Sequence, residues 1–536
     1  MEAWCRATPP ALLEKPAAGV PTYRFADLYS VNDVFTNPVR ARAFQKDYLR
    51  WEARYFAQAR NPATGLTFDG IHLDATGRPA SVRVWSAPSK ECLDMGLCLK
   101  ALGGSQVALE VVGSQDKAVE ILARKIDSYE RWHRENPGYG GYMPWFRSTQ
   151  PVRPTDDWVG DAPGLDNGEW VWTMLLAEHA LKAAGHDDLA DRYHDYNQML
   201  RSKLVPMFYD AEAGKVRADV HVVDPTDPNS GYETIHGKPG RMTYLTGEHG
   251  VHEGVMMALY MSLFGGLPDE AVQDIWGGIR MNRVEHPHGT TWEAFWGSAH
   301  ESWAYLFLPF RDHEGFRQLF HLREVIRTQN AHEHGYPGLA TSTNDPVSNG
   351  YLDGAGIEGI GSQSIRNNHT FAIYGAFPLL LELSGSPGKE NYGLAWLLNM
   401  LQAPRQQTRI GGGESGTNDG RAAAAMKTID GSFPNVLALA GGLEQEMAEM
   451  MRAQGVYDRF RQIIGGEFQE TFGTEPLRSP SGFALPAAAV PREHLPEYPS
   501  RPTQVRATAR RSTSERAWPG QYSLLSSWGE GADSRR

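Results

Sequence analysis

The chain has 536 residues, of which 41% are hydrophobic and 22% are charged, and its mean hydropathy is -0.46. These values are ordinary for a globular protein. The longest uncharged apolar run, residues 254–268, is too short and too glycine-rich to cross a bilayer, so we expect no membrane span. The net charge is -12, from 52 basic and 64 acidic side chains. Such an acidic balance repels phosphate backbones and argues against a nucleic-acid partner.

Helical periodicity dominates from residue 44 to about residue 465, and strand patterns are few. The predicted helices cover residues 44–59, 90–102, 115–136, 168–184, 187–207, 250–264, 298–310, 313–329, 369–384, 392–402, 434–453 and 457–464. Several are apolar nearly all round and alternate with amphipathic ones, which indicates an all-α fold built as a double ring of helices, with long loops forming a cleft. We expect an N-terminal extension over residues 1–40, one domain over residues 41–475 and a Pro/Ser/Arg-rich, mostly disordered tail over residues 476–536.

Aromatic side chains are abundant, since 15 Trp, 21 Tyr and 20 Phe accompany 56 Gly and 34 Pro. This mixture is typical of a loop-rich enzyme with an aromatic cleft, and flat aromatic faces suit sugars. Packing in a large core explains the same composition, and composition alone favours that plainer interpretation.

Cysteine usage and targeting signals add little. The three cysteines, at positions 5, 92 and 98, form neither a disulfide framework nor a metal pattern. The first 20 residues lack the apolar core of a signal peptide, so a cytoplasmic location is the default expectation. The sequence contains no nucleotide-binding glycine motif and no motif of a Ser or Cys nucleophile, so we expect no cofactor.

Two carboxylates lie where a predicted helix begins, in Gly164-Leu-Asp-Asn-Gly-Glu-Trp170. Asp166 fits an N-cap, and Glu169, three residues later, completes a capping box. The functional alternative is a ring helix that begins at the cleft and aims both carboxylates and Trp170 into it.

A glutamate also begins the next apolar helix, in His249-Gly-Val-His-Glu-Gly-Val-Met-Met-Ala-Leu-Tyr260. Glu253 gains there from the helix dipole, which is a structural explanation. Burial at an apolar cleft would raise its pKa toward the range that a general acid needs. The order HxxHE differs from the zinc motif HExxH, so we expect no metal site.

The loop of residues 289–303 combines tryptophans with carboxylates. Its candidate residues are Trp292, Glu293, Trp296 and Glu301. Indole rings cover the apolar face of a sugar while carboxylates accept hydrogen bonds from its hydroxyls; a tryptophan-rich core corner is the alternative. Two later loops hold Asp345 and Asp430, the second just before Pro434 opens a helix.

Taken in order, these segments resemble the glucoamylase-like (α/α)6 glycoside hydrolases, the group that contains bacterial endo-β-1,2-glucanases (glycoside hydrolase family 144 and its relatives). The segments that carry the resemblance are Leu165-Asp-Asn-Gly-Glu-Trp170, His252-Glu-Gly-Val-Met-Met-Ala-Leu-Tyr260, Trp296-Gly-Ser-Ala-His-Glu-Ser-Trp303, Gly338-Leu-Ala-Thr-Ser-Thr-Asn-Asp345 and Ile429-Asp-Gly-Ser-Phe-Pro434. Their order and approximate spacing agree over residues 150–455. His252 stands where the family has Asn, and His300 where it has Phe, which indicates a divergent branch.

The resemblance implies an inverting glycosidase on an (α/α)6 toroid, acting on a β-glucan and above all on β-1,2-glucan. In such an enzyme one carboxylic acid protonates the leaving oxygen while another activates water from the opposite face. By motif, Glu253 would be the acid and Asp430 the base. The residues expected to bind the oligo- or polysaccharide are Asp166, Glu169, Trp170, His252, Trp292, Glu293, Trp296, Glu301 and Asp345.

Two alternatives stay open at this point. A sugar epimerase or isomerase on the same toroid would use histidine pairs, for which His249, His252 and His369 are candidates, and it would release no new reducing ends from a polymer. A non-catalytic glycan-binding protein would bind glycans without hydrolysis, and binding would survive the loss of Glu253 and Asp430.

Overall fold

The computed structural model describes residues 25–352, 354–367, 369–382, 391–487 and 489. Helices are its main elements, joined by 3-10 turns, short strands and long loops. In chain order the α-helices are α1 (Val31–Thr36), α2 (Pro38–Phe56), α3 (Pro88–Leu102), α4 (Gln106–Val112), α5 (Gln115–Glu135), α6 (Gly164–Ala183), α7 (Asp187–Phe208), α8 (Glu253–Phe264), α9 (Asp269–Gly278), α10 (Ala304–Phe307), α11 (Glu314–Glu333), α12 (Phe377–Glu382), α13 (Asn391–Leu401), α14 (Phe433–Leu439), α15 (Glu444–Ala453) and α16 (Tyr457–Phe472).

The strands are short and lie in the loops between the helices. They are β1 (Gly70–Leu73), β2 (Pro79–Arg83), β3 (Trp85–Ser86), β4 (Phe146–Arg147), β5 (Arg153–Pro154), β6 (Asp161–Pro163), β7 (Tyr209–Asp210), β8 (Lys215–Val216), β9 (Asp219–Val222), β10 (Tyr232–Thr234), β11 (Arg283–His286), β12 (Gly289–Trp292), β13 (Thr343–Asn344), β14 (Tyr351–Leu352), β15 (Thr370–Ala372), β16 (Gln407–Thr408), β17 (Gly411–Gly412), β18 (Ser415–Thr417) and β19 (Met426–Thr428). Two antiparallel sheets matter for the site, β2–β1–β19 and β3–β4–β5.

A closed ring of helices forms the centre of the fold. Helix α3 packs against α6, α6 against α8, and α8 against α10. Helix α10 contacts both α12 and α14, α12 packs on α14, and α14 returns to α3. Other helices cover this ring from outside, among them α5 on α3, α7 on α6, and α11 and α13 on α12. This arrangement agrees with the predicted ring of helices inside a second layer.

The ring helices are apolar on every side because they are buried on every side. All residues of α3 are buried, and in α8 residues 254–261 are buried without a break. The outer helix α5 has instead one buried face, which includes Ile121, Leu122, Ile126 and Tyr129. Helices with two covered faces need apolar residues all round, which is why α8 lacks the one-sided pattern of α5.

Two ring helices, α6 and α8, approach each other closely at Gly168 of α6. A Cβ atom at this position would lie 2.7 Å from the backbone nitrogen of Met257 in α8 and 2.8 Å from its Cβ. A side chain of any size would therefore push α6 and α8 apart. Because Glu169 follows Gly168 directly, this contact also determines how close Glu169 comes to the start of α8.

Several predicted boundaries differ from those observed. The helix predicted over residues 434–453 is two helices, α14 and α15, because Gly441 and Gly442 adopt positive φ angles between them. Residues 298–310 form a 3-10 turn followed by the short helix α10. Helices α1, α4 and α9 were not predicted, since they are short and lie beside glycine- or proline-rich loops.

The capping box predicted at Asp166 and Glu169 is not formed. Helix α6 begins at Gly164 with Pro163 as its N-cap residue, so Asp166 lies inside the first turn. The carboxylate of Asp166 accepts hydrogen bonds from Ser89 and Trp145 instead of from its own helix. Both carboxylates are therefore available for other interactions.

The packed unit extends beyond the limits predicted at residues 40 and 475. At its start, the backbone nitrogen of Ala26 donates to Gln407 Oε1 over 2.7 Å. At its end, Trp396 Nε1 donates to the carbonyl oxygen of Ala484 over 2.8 Å, and Ala484 N donates to Thr328 Oγ1 over 3.2 Å. Residues 1–24, and nearly all of the predicted tail after residue 487, lie outside the described residues.

Within the described ranges, no single helix has both the length and the apolar character needed to cross a bilayer. Helices α3 and α4 meet the criterion only as a pair, across a bend of 117°.

We predict that Gly168→Ala lowers the free energy of unfolding by about 1–3 kcal/mol, because the added methyl group overpacks the contact between α6 and α8. Gly277→Ala is the matched control: Gly277 lies exposed in α9, and a Cβ there would meet no atom within 4 Å. That control should gain about 0.5–1 kcal/mol from the better helix propensity of alanine. Urea unfolding of both variants measures the difference, and equal stability of the two would contradict the close approach.

Candidate active site

A cleft of about 870 Å³, counting its open mouth, lies at one end of the helical ring. It is lined by five carboxylates (Asp69, Asp166, Glu253, Glu414 and Asp430), three basic side chains (Arg83, Lys90 and His300), five aromatic side chains (Trp85, Trp145, Trp303, Tyr351 and Tyr374) and five small polar side chains (Ser89, Ser342, Thr343, Asn344 and Thr428).

The lining comes largely from the residues at which the ring helices begin. Asp166 lies in the first turn of α6, and Glu253 is the first residue of α8. Asp430 lies in the loop just before α14. Helix N-termini carry partial positive charge, so this end of the ring favours negatively charged side chains. That polarity favours Asp166, Glu253 and Asp430, whereas Asp69 and Glu414 reach the cleft from residues beside strands β1 and β18.

Glu253 lies between two imidazole rings. Its Oε1 is 3.8 Å from Nδ1 of His252, and its Oε2 is 3.7 Å from Nε2 of His300. The two rings also contact each other edge to face, with Nε2 of His252 at 3.4 Å from Nδ1 of His300. Burial by itself raises the pKa of Glu253, but the charges of the two histidines lower it by more. This net direction is opposite to the one expected from burial alone.

Behind Glu253, and away from the cleft, lies the fully buried side chain of Glu169. The two glutamate side chains form a hydrogen-bonded pair, and Cys92 Sγ donates to Glu169 Oε2 over 3.0 Å. Burial raises the pKa of Glu169 well above its usual range, and the neighbouring charge of Glu253 raises it further. Of the two carboxyl groups, Glu169 therefore holds a proton more strongly than Glu253 does.

Asp166 also faces the cleft from the start of α6. Its Oδ2 accepts a hydrogen bond from Trp145 Nε1 over 3.1 Å, and its Oδ1 accepts one from Ser89. Burial and the charge of Glu253 raise the pKa of Asp166 to about 6. This carboxyl thus changes its charge close to neutral pH.

Asp430 has a different environment, because its partner is a lysine. Its Oδ2 accepts a hydrogen bond of 2.7 Å from Lys90 Nζ, which also lies 3.5 Å from Oδ1 of Asp69. Burial lowers the pKa of Lys90, but the two aspartates raise it by more, so that Lys90 remains a cation. The side chain of Asp430 is 33% exposed, compared with 16% for Glu253. The base candidate is thus the more solvent-accessible of the two carboxylates.

Strands β1 and β19 bring Asp430 to the cleft. Gly70 pairs with Thr428 in this sheet, which places Asp69 beside the loop that holds Asp430. A side chain after the aspartate would displace Glu414, since a Cβ on Gly431 would lie 2.2 Å from Oε2 of that buried carboxylate. This crowding favours glycine in the Asp-Gly step.

A stack of indole rings forms one wall of the cleft. The rings of Trp85 and Trp145 are stacked and nearly parallel, with centroids 5.0 Å apart and an interplanar angle of 6°. Trp145 in turn stacks on Trp158 at 5.5 Å, and Arg241 covers the far face of Trp158 at 3.6 Å. The pairing of β3 with β4 brings Trp85 next to Trp145. The exposed end of this stack is an apolar surface next to carboxylates, which suits a sugar ring.

The structure does not place all expected substrate contacts in the cleft. Six of them are buried away from its wall: Glu169, Trp170, His252, Trp292, Trp296 and Glu301. Two more, Glu293 and Asp345, are partly exposed but are also absent from the lining. Of the expected site, Asp166, Glu253 and Asp430 lie together in the cleft.

The expected sugar platforms at Trp170 and Trp292 give way to core roles. Trp170 is fully buried and packs edge to face against Tyr129. Trp292 is fully buried beneath the guanidinium group of Arg323, 4.2 Å from its ring centroid. Trp296 is 6% exposed and packs beside Phe295. All three rings are buried side chains, Trp170 on α6, Trp292 on β12 and Trp296 in the loop that follows β12.

The remaining carboxylates stabilise loops. Glu301 is buried and accepts hydrogen bonds from the backbone nitrogens of Trp296 and Ser298, over 2.8 and 2.5 Å. Asp345 accepts from the backbone of its own turn, at Val347 over 2.7 Å. Glu293 accepts from Asn282 Nδ2 over 2.8 Å. Local hydrogen bonding explains these positions better than contact with a sugar does.

Several lining residues were not predicted from the sequence. Trp85 lies in β3 and Trp145 just before β4, two strands too short for a periodicity signal. Arg83 reaches the cleft through its salt bridge of 2.7 Å to Asp69. Lys90 gave one signal in the sequence, because it is a lysine in the first turn of a helix whose other residues are mostly apolar. A lysine at such a position is buried only if it is paired.

The described residues contain one group with the donor set of a metal site, formed by His252, Glu253 and His300, whose ligand atoms lie within 4.8 Å of one another. The pairing of Glu253 with His300 and with Glu169 accounts for the same atoms. The pKa of His300 supports that interpretation: burial lowers it, but the charge of Glu253 raises it above its usual value.

Comparison with known proteins gives a consistent picture. The model of the family described as endo-beta-1,2-glucanase SGL, glycoside hydrolase family 162, matches residues 66–501. Two solved structures of an endo-β-1,2-glucanase from Talaromyces funiculosus, a Glu-to-Gln variant with β-1,2-glucan and a complex with sophorose, are each 29% identical to this chain. Each aligns over 89% of this chain and 99% of its own, with a TM-score of 0.82.

A more distant structure shares the fold. The endo-β-1,2-glucanase from Chitinophaga pinensis, in complex with sophorotriose and glucose, is 13% identical, covers 82% of this chain and 99% of its own, and has a TM-score of 0.56. A comparison with curated proteins gave no match.

We predict that Asp166→Asn makes stability less dependent on pH. Because the pKa of Asp166 is raised from 3.8 to about 6, the folded chain binds its proton more tightly than the unfolded chain, and stability falls as the pH rises through that window. The variant should avoid a loss on the order of 1–3 kcal/mol between pH 4 and pH 8. Unfolding temperatures at both pH values measure this, with the exposed Glu110→Gln as control. Identical pH dependence in Asp166→Asn and the wild type would contradict the raised pKa.

Proposed function

The chain belongs to the endo-β-1,2-glucanase family, glycoside hydrolase family 162, and on that basis we propose that it cleaves β-1,2-glucan in this cleft with Glu253 as general acid and Asp430 as general base. The protein is a glycoside hydrolase, which sets aside the epimerase and the non-catalytic alternatives. The family number differs from the 144 suggested by the resemblance, in agreement with a divergent branch of the same group. The observation that carries the proposal is that the two carboxyl groups have different partners. Glu253 contacts two histidines and Glu169, whereas Asp430 contacts Lys90.

Glu253 suits the role of acid because it can share a proton. It is mostly buried, it pairs with the protonation-prone Glu169, and it lines the cleft from the first residue of α8. A buried carboxyl within a hydrogen-bonded carboxyl pair retains one proton at a pH at which an exposed carboxyl has lost it. Such a proton is available to a leaving oxygen.

Asp430 suits the role of base because its carboxyl group contacts an ammonium group and is open to solvent. It accepts a hydrogen bond from Lys90, and one third of its side chain is exposed to solvent. A carboxylate in contact with an ammonium group and with water is the type of group that takes a proton from an attacking water molecule. The difference between the two carboxylates supports an inverting mechanism, in which acid and base are separate groups.

The sugar-binding surface combines apolar and polar elements. The indole wall of Trp85 and Trp145 provides flat faces, and Asp166, Arg83 and Asn344 provide acceptors and donors for hydroxyl groups. The relatives from Talaromyces funiculosus bind β-1,2-glucan and sophorose, and they support the same ligand class here. The packing of α3, α6, α8, α10, α12 and α14 in one closed ring supports the assignment as an (α/α)6 toroid.

We predict that Glu253→Gln and Asp430→Asn each lower kcat on β-1,2-glucan by about 10²-fold or more, because each removes one proton-transfer step. Both substitutions are nearly isosteric, so that unfolding temperatures should stay close to that of the wild type. Release of reducing ends measures the rate. The control is Glu270→Gln, which replaces an exposed carboxylate in α9, remote from the cleft lining. Near-normal turnover in either cleft variant would contradict its assigned role.

We also predict selectivity among β-glucans. Reducing ends should appear from β-1,2-glucan, whereas β-1,3- and β-1,4-glucans at equal concentration should give rates lower by at least about 10²-fold, since a misplaced glycosidic oxygen cannot reach the acid. Product chain lengths then test endo action, because internal cleavage yields oligosaccharides before glucose. Equal rates on all three polymers would contradict the assigned substrate.

A further inference from the structure

Two acceptor groups face each other at the start of α8. Glu169 and Glu253 pair through their side chains, and ionised carboxylates accept hydrogen bonds but cannot donate them. Oε2 of Glu169 already accepts the hydrogen bond from Cys92, while the buried Oε1 has no donor in the described part of the chain. A proton held between the two carboxyls satisfies this oxygen and removes the repulsion.

The geometry keeps water from replacing that proton. Glu169 is fully buried, and its helix packs so closely on α8 that a Cβ atom on Gly168 would lie 2.7 Å from the backbone nitrogen of Met257. The histidines lie against Glu253, at 3.7 and 3.8 Å from its oxygens. The general acid thus has a cationic side toward His252 and His300, and an acidic side toward Glu169.

We propose that Glu169 is a positioning residue that shares one proton with Glu253 and so keeps the general acid able to donate at neutral pH. This inference rests on the proposed role of Glu253. In the reaction, the proton leaves the Glu169 carboxyl for the Glu253 carboxylate, and Glu253 gives it to the leaving oxygen as the glycosidic bond breaks. Water supplies the hydroxyl group that bonds to the anomeric carbon and passes its other proton to Asp430. Solvent exchange then returns that proton to the glutamate pair.

A residue at position 169 that holds no proton cannot pass one to Glu253. Burial raises the pKa of Glu253, but the charges of His252 and His300 and the hydrogen bonds from His300 and Glu169 lower it by more, so the ionised form of Glu253 is favoured. An ionised Glu253 cannot act as an acid, so the substitution of Glu169 by a group that does not titrate should confine activity to lower pH. A merely structural role of Glu169 would change stability and the maximal rate, but not the position of the alkaline limb.

Cys92 offers a test of opposite sign. Its Sγ lies 3.0 Å from Glu169 Oε2 and 2.8 Å from the carbonyl oxygen of Ser89, so its one proton is shared between these two acceptors. Burial raises the pKa of the Cys92 thiol, so that it stays protonated as a donor. A hydrogen bond to a carboxylate stabilises the ionised form. Loss of this donor should therefore make the glutamate pair hold its proton to higher pH.

The pair titrates among several other groups, and each contributes to the pH profile. Titratable and charged side chains surround the pair on several elements. They are Lys90 and Cys92 of α3, Asp166 of α6, Asp219 of β9, His252 at the N-cap of α8, His300 of the segment before α10, and Asp430 before α14. The variants below leave all of these groups in place except Cys92 itself.

The experiment measures kcat/KM on β-1,2-glucan from pH 4 to pH 9 for the full chain. Glu169→Gln should move the alkaline limb to lower pH by more than about one unit and lower the rate at pH 7 by about tenfold or more, with recovery at acidic pH. Cys92→Ala should move the limb to higher pH by about half a unit. Cys92→Ser is the matched control, because its hydroxyl group keeps a donor for Glu169 and leaves the limb in place.

An alkaline limb that stays in place in Glu169→Gln would overturn the inference, whatever the maximal rate. If that variant does not fold, the cysteine variants decide: a higher limb in Cys92→Ala than in Cys92→Ser supports the inference, and equal limbs overturn it. Failure of the proposed function is a separate result, because Glu253→Gln would then remain active. If Glu253→Gln is inactive and the alkaline limb of Glu169→Gln is unchanged, the shared proton is contradicted while the role of Glu253 as general acid stands.

Discussion

The site depends on one constraint, which is that the helices of the closed ring begin at the same end. Each N-terminus carries partial positive charge, and together they make this end of the ring favourable for carboxylates. Five carboxylates line the cleft there. Groups so close together repel one another, and the structure compensates them with Lys90, Arg83 and His300 at the same surface. The remaining chemistry follows from which carboxylate has which partner.

The neighbouring side chains, more than the degree of burial, distinguish the candidate acid from the candidate base. Glu253 contacts imidazoles and a second carboxyl, whereas Asp430 contacts an ammonium group. Asp430 pairs with an ammonium group, while Glu253 lies beside Glu169, a carboxyl whose pKa is raised well above its usual range by burial. The same fold thus places two carboxyl groups with different partners in one cleft, as two-carboxylate glycosidases require.

The sequence predicts the residues that begin helices better than those that fill them. Glu253 and Asp430 were identifiable because each adjoins a helix start, marked by an apolar run or by Pro434. Trp170 has the same composition signal as a sugar platform, but it lies on a ring helix that is covered on both sides and is buried there. Trp292 has the same signal, but it is buried on β12 beneath an arginine side chain. A pattern of residue types does not indicate which face of a doubly buried helix meets a cavity.

Long-range pairing explains most of what was missed. Trp85 and Trp145 meet only because β3 pairs with β4, and Asp69 approaches Asp430 only because β1 pairs with β19. Strands this short carry no periodicity from which such pairing can be predicted. The capping-box interpretation failed for a related reason: helix α6 begins two residues earlier than Asp166, which frees Glu169 to turn toward α8.

The anomeric form of the first product tests the central claim most directly. Hydrolysis of β-1,2-glucan can be followed by proton NMR, fast enough to precede mutarotation, with the wild-type chain. Separate acid and base groups, with water attacking from the face opposite the leaving oxygen, predict that new reducing ends appear first as the α-anomer. Initial appearance of the β-anomer would mean retention through a covalent intermediate, and it would contradict the assignment of Asp430 as a base that activates water.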